Sequence, residues 1–423
     1  MSAVKKYSPI AWEIEHPCPR CGAPITLGEA DRLLSCSYCR TRLFLIPNDT
    51  FRYYLPPSAA FSKDLVFIPY WRLKGTVFFC KTGKTEYRVL DVSSLALHDT
   101  SFPPTLGLRP QTLKLKFVSP ELKEEFFKPH FSSQKVIQEA EMHLHFLNGS
   151  VSSTPAAYHA FLGETVSLIY TPIFIRQDTA YDAILGEAFA PVPRDFGKGS
   201  LPSYPPKDRQ IRFVPTLCPG CGWDLLGERD SVVLFCRNCS SAWAPSQSGF
   251  EEVHFGSSVR KEEGLYYLPF WRMNVRIQGI ETRCFADLFR GAEVSKARED
   301  EEGEGTDIFF WSPAFKVPPK LYLRLSQGMT VSQPRGEFER RLPRSSLYPV
   351  TLPPGEAAEG IRITLPNFLI DRKRALPGSQ EMKIRVNESL LVYLPFTQRG
   401  IDFIEPHSRL CIPKSYLKLG REL

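Results

Sequence analysis

Cys18-Pro19-Arg20-Cys21-Gly22 is followed by Cys36-Ser37-Tyr38-Cys39, and much later Cys218-Pro219-Gly220-Cys221-Gly222 is followed by Cys236-Arg237-Asn238-Cys239. Both sets have the form C-x2-C-x14-C-x2-C. Four thiols in two pairs, with a hairpin-sized spacer, suit a closed tetrahedral four-sulfur metal site. Two sets of identical spacing exclude coincidence. In each first pair the proline fixes φ ahead of a tight turn, and the glycine can take the positive φ needed after the second cysteine. Backbone N–H groups can then approach the sulfurs and hold the thiolates in orientation. The second pairs lack that glycine, with Arg40 and Ser240 in its place. Leu33-Leu34 and Val232-Val233-Leu234-Phe235 read as strands rising into the third cysteine.

This pattern resembles the zinc-ribbon superfamily over residues 16–46 and 214–245 only. The resemblance implies a metal site built from two knuckles on a small β-sheet. It implies no single activity, because ribbons serve unrelated tasks in transcription factors, polymerase subunits, ribosomal proteins and adaptors. The expected ligands are Cys18, Cys21, Cys36 and Cys39 for one Zn2+, and Cys218, Cys221, Cys236 and Cys239 for a second. Four thiolates leave no open coordination position, so both zinc ions are expected to be structural. A rubredoxin-like iron site uses the same ligand set. The missing glycines at Arg40 and Ser240, and the lack of any flavin, haem or di-iron signature, weigh against iron.

Outward from the cysteines, the chain reads as a tandem duplication. Ile68-Pro69-Tyr70-Trp71-Arg72 returns as Leu268-Pro269-Phe270-Trp271-Arg272, at the same offset as the cysteines. Val118, Pro120, Leu122 and Phe126 align more weakly with Val317, Pro319, Leu321 and Leu325, and Ile169-Tyr170-Thr171-Pro172 with Val392-Tyr393-Leu394-Pro395. Some twenty extra residues in the second half are expected in the Pro-rich stretch 330–360. The expected class is mainly β (α+β), each half a ribbon followed by a β-rich module with one or two short helices. The domains are residues 1–47 (first ribbon), 48–190 (first β-rich module), 191–208 (linker), 209–245 (second ribbon) and 246–423 (second module). The linker reading follows from five prolines with Gly197 and Gly199. Ser119-Pro120-Glu121 has helix-start chemistry, with Leu122 and Phe126 four apart on one face, as are Leu321 and Leu325. A further helix is expected over 134–147, and strands at Val66-Phe67-Ile68 and Leu391-Val392-Tyr393-Leu394. The run 296–307 reads as a solvated acidic loop.

Composition excludes some classes. An apolar fraction of 43% with 23% charged residues is that of a globular protein, and no apolar run is long enough to span a membrane. The N-terminus carries no apolar stretch of secretory type, and eight of eleven cysteines fall in metal spacing, which together favour a reducing, cytoplasmic setting. The net charge of +7 divides almost evenly: residues 1–205 hold 22 basic and 19 acidic side chains, so no basic block stands out.

No P-loop, dinucleotide fingerprint, nucleophile elbow or H-E-x-x-H motif appears, and no catalytic residue is assigned. Cys80, Cys284 and Cys411 lack a neighbouring base and read as buried thiols. His143 and His145 diverge on a helix, and His16 adjoins the first ribbon without a counterpart at Thr216. Trp71-Arg72 and Trp271-Arg272 suit stacking on a partner; the alternative is a core tryptophan with its arginine on the opposite, solvent-facing side of the strand. The expected function is a non-enzymatic, zinc-stabilised binding or scaffold protein with a protein partner or assembly. The rival is a nucleic-acid-binding protein using ribbons and Trp-Arg elements. An enzyme with a cleft between the halves, or an iron electron carrier, comes third.

Overall fold

The computed structural model describes residues 12–47, 49–62, 64–81, 84–98, 101–119, 121–137, 158–191, 211–258, 260, 264–277, 309–334, 336–365 and 383–421. The linker beyond residue 191, the acidic run 296–307, Cys284, His143 and His145 lie outside them. The described chain is mainly β, with short helices. It divides into two compact units: Met1–Gly75, Leu90–Val151 and Gly163–Pro215 form the first, and Thr76–Val89, Ser152–Leu162 and Thr216–Leu423 the second.

In the first unit, Glu13–Pro17 and Pro24–Gly28 form a hairpin, and Glu13–Pro17 continues in parallel to Leu115–Phe117. Leu115–Phe117 pairs antiparallel with Phe51–Tyr54, which runs parallel to Tyr158–Arg176. The chain reverses into Thr179–Asp182 at Gln177 and Asp178, both with positive φ, as a two-residue hairpin turn demands. The long strand Leu65–Lys81 pairs with Tyr158–Arg176, Lys84–Leu95 and Glu125–Phe126. Its side chains alternate between two cores: Ile68 and Tyr70 enter one, Phe67, Trp71 and Leu73 the other. This central strand is therefore buried on both faces, whereas Glu13–Pro17 and Pro24–Gly28 alternate exposed and buried residues and face solvent on one side.

In the second unit, Leu265–Ile277 and Ile384–Arg399 pair antiparallel along their length, from Leu265 opposite Thr397 to Ile277 opposite Ile384. Phe310–Pro313 and Ser346–Leu347 extend the sheet beyond Leu265–Ile277. The helix Pro319–Ser332 opens on proline at its first position and buries Leu321, Leu325 and Met329, one stripe at four-residue spacing. Phe78, Cys80 and Ala160, from the first half of the sequence, belong to this unit's core, with the Phe78 ring 5.8 Å from that of Tyr322.

The helix expected after Ser119 does not form. Residues 121–124 are turn and bend, and Glu125–Phe126 is a strand parallel to Val66-Phe67, with the Phe126 ring stacked 4.6 Å from that of Phe67. The helix-start chemistry is local and its apolar stripe ends at two residues, too few to offset helix nucleation. Strand pairing buries both Phe126 and Phe127 instead. Phe126 lies opposite Phe67 as Leu347 lies opposite Tyr267, whereas Leu325 lies in the helix Pro319–Ser332. Of the helix expected over 134–147, residues 133–137 are helical and the remainder is outside the described residues.

Candidate metal centres

Each ribbon folds around two knuckles whose backbone bonds follow from the local sequence. In the first, Cys18 N–H donates to Ala23 O (2.7 Å) and Gly22 N–H to Cys18 O (2.8 Å); in the second ribbon, Cys218 N–H donates to Trp223 O (2.7 Å) and Gly222 N–H to Cys218 O (2.8 Å). Gly22 and Gly222 take φ of 74° and 73°. Arg40 and Ser240 take the same left-handed conformation, at 59° and 51°. The knuckle therefore imposes that geometry even without glycine. The turn between the pairs also repeats: Gly28 N–H donates to Asp31 Oδ2 (2.7 Å), and Glu228 N–H to Ser231 Oγ (2.8 Å).

These turns gather Cys18, Cys21, Cys36 and Cys39 into one group and Cys218, Cys221, Cys236 and Cys239 into another, with all ligand atoms of a group within 4.8 Å of one another. Cys18 Sγ is 3.6 Å from Cys39 Sγ and Cys21 Sγ 3.7 Å from Cys36 Sγ; the second group matches at 3.6 Å (Cys218–Cys239) and 3.4 Å (Cys221–Cys236). Four thiolates so close repel one another unless a cation sits among them. Both groups are close enough to hold a metal ion, and a four-sulfur tetrahedron closes its coordination shell. Hydrogen bonds from the Thr41 hydroxyl and N–H bring Cys39 down to about 6, and the Asn238 side chain, with Trp223 N–H, does the same for Cys221. Burial pushes the Cys236 thiol up to about 12. Metal binding must release that proton.

The ribbons differ in how their sheets are completed. Leu33–Ser35 and Arg42–Ile46 of the first receive Arg212–Pro215 as a third strand, with Phe213 opposite Leu45. The second adds its own hairpin strand, so that Leu234–Cys236, Ser241–Ser246 and Gly249–Glu252 are contiguous in sequence. His16 lies stacked 4.9 Å from the Phe213 ring and edge-on to Phe117, and its burial lowers its pKa. It is no member of the sulfur group.

Trp71 and Trp271 are both buried, and their indole N–H groups donate to Phe131 O and Leu352 O, each at 2.9 Å. Their faces are therefore packed in the core and offer no stacking surface to a partner. The tryptophan and arginine of the first pair do lie on opposite sides of the strand, but Arg72 does not reach solvent. It is 1% exposed, because its side of the sheet is covered by Trp12 and the first ribbon. Its guanidinium forks onto Glu29 (Nε–Oε2 3.2 Å, Nη2–Oε1 3.0 Å), reaches Asp91, and stacks 3.9 Å from the Trp12 ring centroid. Arg272 is half-buried and stacks 3.3 Å from the Phe309 ring centroid. Sequence reading missed Trp12 and Glu29. Neither has a local signal, since their role depends on a strand more than forty residues away.

Cys80 is buried in the second unit's core, and Cys411 opens the short strand Cys411–Pro413, where burial raises its pKa. A small cleft in the first unit is lined by Tyr70, Phe102, Arg109 and Asp182. Its acid and base neutralise each other, with Arg109 Nη2 2.5 Å from Asp182 Oδ2. Among the described residues no helix is long and apolar enough to cross a membrane. Compared with known proteins, the chain matches no protein family, no curated protein and no solved structure.

Proposed function

We propose that this chain is a non-enzymatic binding or scaffold protein, built by tandem duplication and held by two structural zinc ions, that presents its surfaces to a protein partner or assembly. The observation that carries this reading is the fate of the Trp-Arg elements. Both indoles are buried and hydrogen-bonded to backbone carbonyls, whereas Tyr38, Leu217, Trp223 and Leu226 are exposed on the ribbons. The ribbons are thus the surfaces rich in contact residues, and base stacking by Trp71 and Trp271 loses its support. Two closed sulfur groups favour zinc in a structural role over a catalytic ion. The free cysteines suit a reducing compartment such as the cytoplasm.

Paired hydrogen bonds support the duplication. Ala96 N–H donates to Pro69 O as Ala314 N–H does to Pro269 O, and His130 N–H to Ala96 O as Thr351 N–H does to Ala314 O. The loops 182–187 and 405–410 also match: buried Asp182 accepts from Ile184 and Leu185 N–H, and buried Glu405 from His407 and Ser408 N–H. Between Trp71/Trp271 and Ala96/Ala314 the numbering offset grows by eighteen, so most of the extra residues fall before 314, not in 330–360.

Cross-linking of the full chain in native extract, read by mass spectrometry, tests the function. A protein partner linked through the ribbons and competed by excess untagged chain is the expected result. A sub-micromolar, salt-sensitive complex with single-stranded DNA or RNA, and no protein partner, would overturn it. Where the expected protein partner is found, Trp71→Ala and Trp271→Ala should each loosen the fold by about 3–5 kcal/mol, as truncation of a buried aromatic does.

A further inference from the structure

We propose that the tip of the first ribbon, formed by Arg20, Tyr38 and Arg40, is the docking surface for an acidic segment of a partner protein; this rests on the binding-protein reading above. Arg20 lies between the first two cysteines and Tyr38 between the last two, so the two knuckles carry them to the same end of the sulfur cluster. Arg20 Nη1 donates to Thr41 Oγ1 at 3.1 Å, which brings it beside the residue that follows Arg40. All three side chains are exposed, Tyr38 by 70%. No carboxylate among the described residues pairs with Arg20 or Arg40. Arg40 also holds a left-handed backbone, φ 59°, where glycine would be relaxed.

The second ribbon is the internal control. The equivalent positions are Gly220, Asn238 and Ser240; that ribbon's own exposed cation and aromatic, Arg237 and Trp223, stand at other positions, alongside exposed Asp224 and Glu228. The cation–aromatic cluster is therefore not a requirement of the ribbon fold. Tyrosine and arginine dominate binding hot spots between proteins, and guanidinium groups take carboxylates in a two-pronged geometry. A nucleic-acid backbone calls for a longer row of cations. Other cations of this ribbon and its sheet are already engaged: Arg32 donates to Glu29 O and Asp31 O and stacks on Phe51, and Lys114 meets Glu13 and Glu15.

Fluorescence anisotropy with the zinc-loaded full chain tests this, using short labelled peptides rich in Asp and Glu with one Phe, matched Lys-substituted peptides, and labelled oligo(dT). The acidic peptides should bind and the basic ones should not. Arg20→Ser, Tyr38→Ala and Arg40→Gly should each weaken binding about tenfold, with zinc content unchanged. Arg237→Ala, an exposed cation on the matching knuckle of the second ribbon, should leave it unaltered. Binding of oligo(dT) in preference to the acidic peptides, or acidic-peptide binding that survives all three substitutions, overturns the proposal. So does failure of the wild-type chain to bind any acidic peptide. In those cases a cross-linked protein partner at another surface would leave the broader binding-protein reading standing.

Discussion

The two ribbons have the same cysteine spacing, the same knuckle bonds and nearly the same sulfur separations, yet they are fastened by opposite means. The first is held by a buried ion pair: Glu29, on its turn, meets Arg72 of the long strand, with both side chains almost wholly out of solvent. Two hundred residues further on stand Arg229, on the second ribbon, and Arg272, on the strand Leu265–Ile277, two cations that could not form that pair. The ion pairs that join it to its unit are instead those of Arg421, just past the helix Lys414–Gly420, with Glu228 and Asp230 at the surface, beside a Val232–Val350 backbone bond and Phe235 packed on Tyr393. Equivalent local structure has thus been joined to each unit by unrelated side chains. The metal site is one design used twice, and the attachment is two designs.

The largest expected effect tests what the ribbons share. Elemental analysis should find two zinc ions per chain, with little iron, and Cys18→Ser or Cys218→Ser should each remove one ion. Structural zinc sites contribute on the order of 10 kcal/mol to the folding of their module. Because the first ribbon borrows Arg212–Pro215, Cys18→Ser should also open that strand to proteolysis. Cys218→Ser should leave it protected. A visible absorption band from bound iron would reject zinc at both sites.

The next effect separates the attachments. Arg72→Met strands Glu29 in a buried setting and should cost the first unit about 3–5 kcal/mol in urea unfolding. An effect below about 1 kcal/mol would mean that the pair is not buried in solution. Smaller, and opposite in sign, is the relief of the two left-handed residues. Arg40→Gly and Ser240→Gly should each stabilise their ribbon, by up to about 1 kcal/mol. A loss at Arg40 alone would show that its side chain contributes packing that the geometry does not reveal. The smallest effect is Arg421→Ala, about 0.2–1 kcal/mol, shrinking as salt screens the exposed pair. Were it as damaging as Arg72→Met, the contrast between the two attachments would fail.

Much of the metal site was legible from spacing alone. Cysteine pairs two residues apart form knuckles through bonds spanning five residues, as from Cys18 to Ala23, so nothing distant is needed. The left-handed turns at Arg40 and Ser240 were less legible, because residue preference there argues for glycine while the knuckle closure decides the φ. The segment after Ser119 misled for a related reason. Its helix-start residues are a local preference, and pairing with Val66-Phe67 outweighs it.

The sequence by itself determined the two four-sulfur groups and the mainly β character. Each rests on short-range spacing or on side-chain alternation along one strand. Only the tertiary structure decided that Arg72 is buried against Trp12 and Glu29, that Arg212–Pro215 completes the first ribbon, and that Arg421 fastens the second. Those outcomes depend on which face of a sheet another segment covers. A charged side chain such as Arg72 is stable inside only because a distant carboxylate and ring meet it there, and no local pattern encodes that meeting.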